Sequence, residues 1–271
     1  MTYSVAFQGE EGAYSEEAAL RHFGQVNAQP FRTLRHVFDE VESKSVDYGI
    51  VPAENSIEGI VNQTYDLLLE SPLKICGEEK IRIAHRLMAL PGTDLEDVRV
   101  VYSHPQALAQ CSRFLESHGF DASPAYDTAG SAKMIREKQL QGTAAIASER
   151  AAQVYKLVVL RQNIEDYAEN FTRFFVIGWE DASPSGQDKT SVVFGTPHTP
   201  GSLHKALGEL AVRQVNLMKI ESRPVRTTPW EYHFFVDIAG HRSNPQCAEA
   251  LEALRRITTF TKVLGSYPSA A

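Results

Sequence analysis

Thr172 and Arg173 set a hydroxyl beside a guanidinium within an apolar run, Phe171 to Ile177, that reads as a buried strand. Desolvating such groups without partners costs on the order of 2–7 kcal/mol each, so a ligand carrying negative charge is the expected partner. In a regular strand neighbouring side chains face opposite ways, so Thr172 and Arg173 cannot both meet that ligand. Thr172 then offers a hydrogen bond to an oxygen. Arg173 binds a carboxylate only if the backbone is irregular, and otherwise supports the loop.

Four further polar segments are expected just after a strand and just before a helix: Gly12-Ala13-Tyr14-Ser15, Glu54-Asn55-Ser56, Ser103-His104-Pro105-Gln106 and Asp127-Thr128. Helix starts present unpaired N–H groups and a partial positive charge, which suits carboxylates. In open α/β sheets ligands gather at the carboxyl ends of strands, where all four segments would lie. The plainer alternative makes Ser15, Ser56, Ser103 and Thr128 only N-caps. His104 is a possible general acid, although a satisfied loop residue is the simpler reading. Asn55 has donor and acceptor capacity and no apolar reason to follow a strand end, so it is expected to face a cleft. Near the C-terminus, Gly201 and Glu221-Ser222-Arg223-Pro224 fit either close approach to a ligand or a turn glycine and a solvated hairpin.

The elements that must position these residues follow from periodicity. Strands are expected over residues 4–7, 48–51, 99–102 and 144–146, and helices over 15–22, 37–43, 60–69, 107–118 and 131–138. This alternation predicts an α/β layer structure in two comparable halves, divided at Pro91-Gly92. Residues 180–188 are polar, carry Pro and Gly and break the periodicity, so they read as a linker. Beyond it the pattern is strand 189–196, helix 201–214, strands 217–222 and 232–238, helix 245–256 and strand 261–264. That order is βαββαβ, the ferredoxin-like arrangement.

The chain has 271 residues, 43% hydrophobic and 23% charged, enough for about two globular domains. A formal charge of -7 with no Lys/Arg cluster argues against nucleic-acid binding, so any anion must be held by local groups. Cys76, Cys111 and Cys247 are too widely spaced for a disulfide framework or a zinc site. The N-terminus lacks the features of a signal peptide and no stretch is apolar for long enough to span a bilayer, so the expected location is the cytoplasm.

The motifs in this order resemble the bacterial prephenate dehydratases of the monofunctional type, with a C-terminal ACT regulatory domain. The resemblance runs through Gly12-Ala13-Tyr14-Ser15, Val51 to Gly59, Ser103 to Leu108, Thr172-Arg173-Phe174, Asn216-Leu217 and Glu221-Ser222-Arg223-Pro224. It implies a two-lobed, periplasmic-binding-protein-like catalytic domain over 1–180 and a ferredoxin-like ACT domain over 189–271. It also implies decarboxylating dehydration of prephenate to phenylpyruvate without metal or organic cofactor, with arogenate dehydration as the alternative. Thr172 is then the catalytic residue. Tyr14, Ser15, Asn55, Ser56, Ser103, Gln106, Thr128 and Arg173 are the expected substrate contacts. Phenylalanine is expected as the allosteric ligand, around Gly201, Ser202, Leu203, Asn216, Leu217 and Met218, with Glu221, Ser222 and Arg223 shaping an interface in a homodimer or homotetramer. Glu10-Glu11, Asp127, Ser202 and His204 depart from the usual family pattern.

Overall fold

A computed structural model describes residues 2–225 and 230–270. The chain divides into two compact units, Met1–Thr64 with Glu79–Phe174, and Tyr65–Glu78 with Phe175–Ala271.

In chain order the elements begin with β1 (Tyr3–Gln8), α1 (Tyr14–Phe23), β2 (Val26–Phe31), α2 (Leu34–Glu42), β3 (Tyr48–Asn55), β4 (Gly59–Ile60), α3 (Asn62–Glu70) and β5 (Lys74–Arg82). They continue with β6 (Arg86–Ala89), β7 (Val100–Ser103), α4 (Pro105–Gln110), α5 (Ser112–His118), β8 (Asp121–Pro124), α6 (Thr128–Lys138), β9 (Thr143–Ala147), α7 (Glu149–Tyr155), β10 (Val158–Gln162) and β11 (Phe171–Gly178). One sheet has the order β2-β1-β3-β11-β5, with β4 pairing β3, and a second has β10-β6-β9-β7-β8. The chain passes between the sheets twice, at residues 83–85 and 163–170, so the architecture is two α/β lobes as expected.

The dividing point differs from Pro91-Gly92. That dipeptide forms only a turn after β6, and β11 returns to the first sheet, so the halves are not consecutive in sequence. The two crossing segments bind each other: Ile83 N donates to Asn170 O (2.8 Å) and His85 N to a Glu165 carboxylate oxygen (2.9 Å). Their order comes from backbone pairing between segments far apart in sequence, which periodicity does not register.

Two expected helices change shape. The helix over 60–69 starts at Asn62, because Glu54 and Asn55 pair with Ile60 and Gly59 in a hairpin. A hairpin therefore follows Asn55 where a helix start was expected. The helix over 107–118 breaks at buried Cys111 into α4 and α5, where Asp166 accepts from Ser112 Oγ (2.9 Å) and Arg113 N (3.3 Å). A distant carboxylate thus caps a second helix inside a continuous apolar pattern.

The C-terminal elements are β12 (Asp188–Gly195), α8 (Ser202–Ala211), β13 (Leu217–Pro224), β14 (Tyr232–Ala239), α9 (Pro245–Ile257) and β15 (Phe260–Pro268). Their sheet order, β13-β14-β12-β15, is that of a ferredoxin-like βαββαβ domain. Val192, Phe194, Leu210, Val236, Ile238, Leu251 and Leu254 form its core between sheet and helices. The polar stretch before β12 is anchored: Asp181 pairs with Arg242, and the Asp188 carboxylate accepts from Ser185 and Gly186 N–H groups.

Candidate active site

A cavity of about 380 Å³ lies between the strand ends of the two sheets, inside the first compact unit. Tyr14, Ser15, Asn55, Gln106, Thr128 and Thr172 all line it, so the polar segments seen in sequence converge on one space. The chain reversals that carry them are tightly specified. Gly12 has φ +89°, and a Cβ there would stand 2.6 Å from Ala151 Cα. Only glycine combines that backbone conformation with so close an approach. None of the four hydroxyl residues proves to be an N-cap: Ala13 precedes α1, while His104 Nδ1 and the Asp127 carboxylate cap α4 and α6.

Three expected substrate contacts stand elsewhere. Ser56 clips the hairpin to the second crossing, donating to Glu169 O (3.1 Å) and accepting from Phe171 N (2.9 Å). The Ser103 hydroxyl is fully buried and donates to Ile146 O (2.7 Å), joining β7 to β9. Arg173 is buried outside the cavity lining, with Glu54 at 3.9 Å. Strand alternation separates it from Thr172.

Thr172 Oγ1 accepts a hydrogen bond from Asn55 Nδ2 (3.0 Å). The orientation of this amide is fixed, because Asn55 Oδ1 accepts from two backbone groups that can only donate, Ile57 N (3.0 Å) and Glu58 N (3.1 Å). Its nitrogen therefore faces Thr172, Phe171 O (3.2 Å) and Asn170 Oδ1 (2.7 Å). Among the described residues no group accepts a hydrogen bond from the Thr172 hydroxyl, and Thr172 lines the cavity. The chain of amides continues, with Asn170 Nδ2 donating to Gln110 Oε1 (3.0 Å), which also lies 3.0 Å from His85 Nε2.

Sequence reasoning missed Asn170, Gln110 and His85. Gln110 carried the one available signal, a polar side chain on the buried side of an apolar helix. Burial, with Glu17 and Glu165 adding to it, pushes the Tyr14 phenol well above its usual range, so it remains a donor, to Ala84 O at 2.9 Å. Burial also lowers the His85 pKa, against weaker opposing effects of Gln110 and Glu165. The Asp127 carboxyl is raised, mainly by desolvation, although the Gly130 N–H pulls the other way. Asp127 Oδ2 is buried without a partner among the described residues. No Lys or Arg side chain is among the residues lining the cavity, so an anion there would meet hydroxyls, amides, two histidines and the start of α1, with the Asp127 carboxyl also in the lining.

That geometry fits what known proteins share with this chain. The sequence pattern of prephenate dehydratase matches residues 5–182, and that of the ACT domain matches residues 190–256. The chain belongs to the prephenate dehydratase family. It is 45% identical over 269 residues to the bifunctional chorismate mutase/prephenate dehydratase of Aquifex aeolicus, covering 98% of this chain and 74% of that one. It is 42% identical to arogenate dehydratase/prephenate dehydratase 2 of Arabidopsis thaliana, covering 97% and 72%. Among solved structures, prephenate dehydratase of Arthrobacter aurescens in complex with L-Phe superposes with a TM-score of 0.90 at 33% identity, covering 98% and 90%. GqqA, described as a novel type of quorum quenching acylase, gives a TM-score of 0.90 at 34% identity, covering 98% of both chains. Family membership at this coverage makes the chain a decarboxylating carbon–oxygen lyase.

In the ACT domain the expected allosteric residues divide. Asn216 and Leu217 line a separate cavity of about 480 Å³ with Leu207, Leu210 and Gln214. Gly201, at φ +81°, starts α8, Ser202 Oγ bonds Thr199 Oγ1 (2.7 Å), and Leu203 packs on the core. Met218 and Ser222 are exposed on one face of β13, with Glu221 and Arg223 on the other, where Arg223 pairs with Asp66 (2.7 Å).

Proposed function

We propose that the chain converts prephenate to phenylpyruvate, water and CO2, and that L-phenylalanine regulates it through the ACT domain. The observation that carries this reading is the Thr172 hydroxyl in the cavity, held as an acceptor by Asn55 so that its proton is free for a ligand oxygen. In the reaction the bond from ring to ring carboxylate breaks and its electron pair enters the ring. The carbon–oxygen bond to the ring hydroxyl breaks too, and the departing oxygen takes up one proton to become water.

Thr172 assists by hydrogen bonding to the departing oxygen. An alkyl alcohol is too weak an acid to give up its proton outright near neutral pH. Its neighbour Asn55 is an amide and no proton relay, so Thr172 acts as a preorganised donor. Tyr14, Ser15, Asn55, Gln106 and Thr128 supply the polar surface for the two carboxylates, with Ser56, Ser103 and Arg173 holding the walls. Residues 1–180 form the catalytic domain in this reading and 189–271 the regulatory one. Phenylalanine binds around Gly201–Leu203 and Asn216–Met218, with Glu221, Ser222 and Arg223 at an interface between copies, and favours a less active state.

Arogenate, with an amino group in place of the side-chain ketone, is the competing substrate, supported by the likeness to the Arabidopsis enzyme. The likeness to GqqA raises acyl transfer as a second activity. A hydroxyl nucleophile needs an adjacent base, and the hydrogen-bond partner of Thr172, Asn55 Nδ2, is a donor, which favours dehydration. The deciding experiment measures product from prephenate and from arogenate, with and without phenylalanine. Absence of turnover with both substrates refutes the reading.

A further inference from the structure

The hydrogen-bond chain behind Thr172 has a direction, and that direction reaches a histidine with no role so far. Ile57 N and Glu58 N fix Asn55 with its nitrogen toward Asn170 Oδ1. Asn170 must then present its own nitrogen to Gln110, whose Oε1 becomes an acceptor at 3.0 Å. His85 Nε2 lies 3.0 Å from the same oxygen, so it must carry a hydrogen there. Two donors on Oε1 hold the Gln110 carboxamide with its oxygen turned inward. Its nitrogen makes no hydrogen bond to any described residue, and Gln110 lines the cavity.

We propose that His85 is a positioning residue: its ring, protonated on Nε2, fixes Gln110 so that the amide nitrogen is offered to a carboxylate of the substrate. This inference rests on the dehydratase reading above. His85 is 2% exposed, between Gln110 on one side and the Tyr14 hydroxyl 3.5 Å from Nδ1 on the other. Burial favours the neutral ring, which carries one hydrogen, and the amide chain assigns that hydrogen to Nε2. A neutral donor suits this cavity, whose lining includes no Lys or Arg. Because Gln110 would touch a carboxylate present in substrate before reaction, losing its orientation should raise KM more than it lowers kcat.

The test compares His85→Phe and His85→Gln, each alone and in a Gln110→Ala background, by kcat, KM and melting temperature with the preferred substrate. His85→Phe is expected to raise KM about tenfold, the worth of one ordinary hydrogen bond, with a smaller change in kcat. His85→Gln, whose amide N–H can donate to Gln110, is expected to stay within about threefold of the parent. In the Gln110→Ala background His85→Phe is expected to cost less than about twofold, because the two residues act as one unit. Equal losses in both backgrounds, or a Gln variant no better than Phe, overturn the proposal, since a general structural role or direct substrate contact gives those results. Nitrogen-15 spectra of the unaltered protein are expected to show the His85 ring protonated on Nε2. A ring protonated only on Nδ1 overturns the proposal whether or not the variants fold. Absence of turnover in the unaltered protein overturns this proposal and the dehydratase reading together, whereas normal turnover with any failure above overturns the role of His85 alone.

Discussion

Replacing Thr172 by Val keeps the branched shape and removes the hydroxyl, which makes it the sharpest test of the dehydration chemistry. The fold should tolerate it. Asn55 Nδ2 loses one acceptor at 3.0 Å but keeps Asn170 Oδ1 at 2.7 Å and Phe171 O at 3.2 Å, so no donor is orphaned. The stability change is therefore that of one partly buried hydrogen bond, about 0.5–1.5 kcal/mol. The catalytic effect should be larger, because a preorganised donor aimed at a departing oxygen typically contributes about 10²–10³-fold in kcat, or ~2.7–4 kcal/mol. KM should move little, and Thr172→Ser, which keeps the oxygen, should recover most of the loss. Initial rates of phenylpyruvate formation, with circular dichroism as the folding control, measure both. A folded Thr172→Val protein within fivefold of the parent kcat refutes the assignment.

Other substitutions probe the frame. Gly12→Ala forces a Cβ to 2.6 Å from Ala151 Cα at φ +89°, so it should destabilise by about 3 kcal/mol or more, seen as a lowered urea midpoint or loss of soluble protein. Lys189→Met leaves Glu78, whose side chain is fully buried, without its cation at 2.7 Å, and should cost about 3–5 kcal/mol in urea unfolding. Asp127→Asn keeps the cap on Gly130 N but removes a carboxyl whose folded pKa is raised by burial. A raised folded pKa means that the protein holds a proton there that the unfolded chain releases first. The wild type thus loses stability as pH rises from the unfolded to the folded pKa. Asp127→Asn should accordingly melt higher than the parent at pH 7, with the difference vanishing at pH values below the unfolded carboxyl pKa near 4. A constant difference across the titration would contradict the assignment.

What was legible in the sequence depended on how local its cause was. The βαββαβ unit was read nearly element by element because β12, α8, β14 and α9 each carry a strong apolar period of their own. By contrast β2, β4, β5, β6, β8 and β10 went unseen. β2, β5, β8 and β10 lie at sheet edges and β4 pairs β3 alone, β2 even accommodating Pro30, while β6 is an interior strand of only four residues. Thr172 and Asn55 were legible as polar side chains at the ends of apolar strands. Asn170 and His85 were not, because they sit on the two irregular crossings, whose order comes from hydrogen bonds to each other rather than from any periodicity. Arg173 was correctly divided from Thr172 by strand alternation, but that Ser56 and Ser103 turn to backbone carbonyls depends on distant segments that pattern alone cannot place.

A cavity whose polar lining is amides, hydroxyls, His85, His104 and the Asp127 carboxyl, with no Lys or Arg, is an odd container for a dianion until the fate of the charges is considered. The ring carboxylate leaves as neutral CO2, so its negative charge drains into the ring and onto the departing oxygen as the reaction proceeds. A guanidinium paired with it would hold the ground state more tightly than the transition state, and only the difference between the two accelerates reaction. Neutral hydroxyl and amide donors, and the start of α1, bind with less of this penalty. Gln106, on the cavity wall at the start of α4, tests the argument. Gln106→Arg should lower KM for the substrate and lower kcat with it, leaving kcat/KM nearly unchanged or reduced. If the arginine variant raised kcat, the lack of Lys and Arg in the lining would have no such catalytic reason.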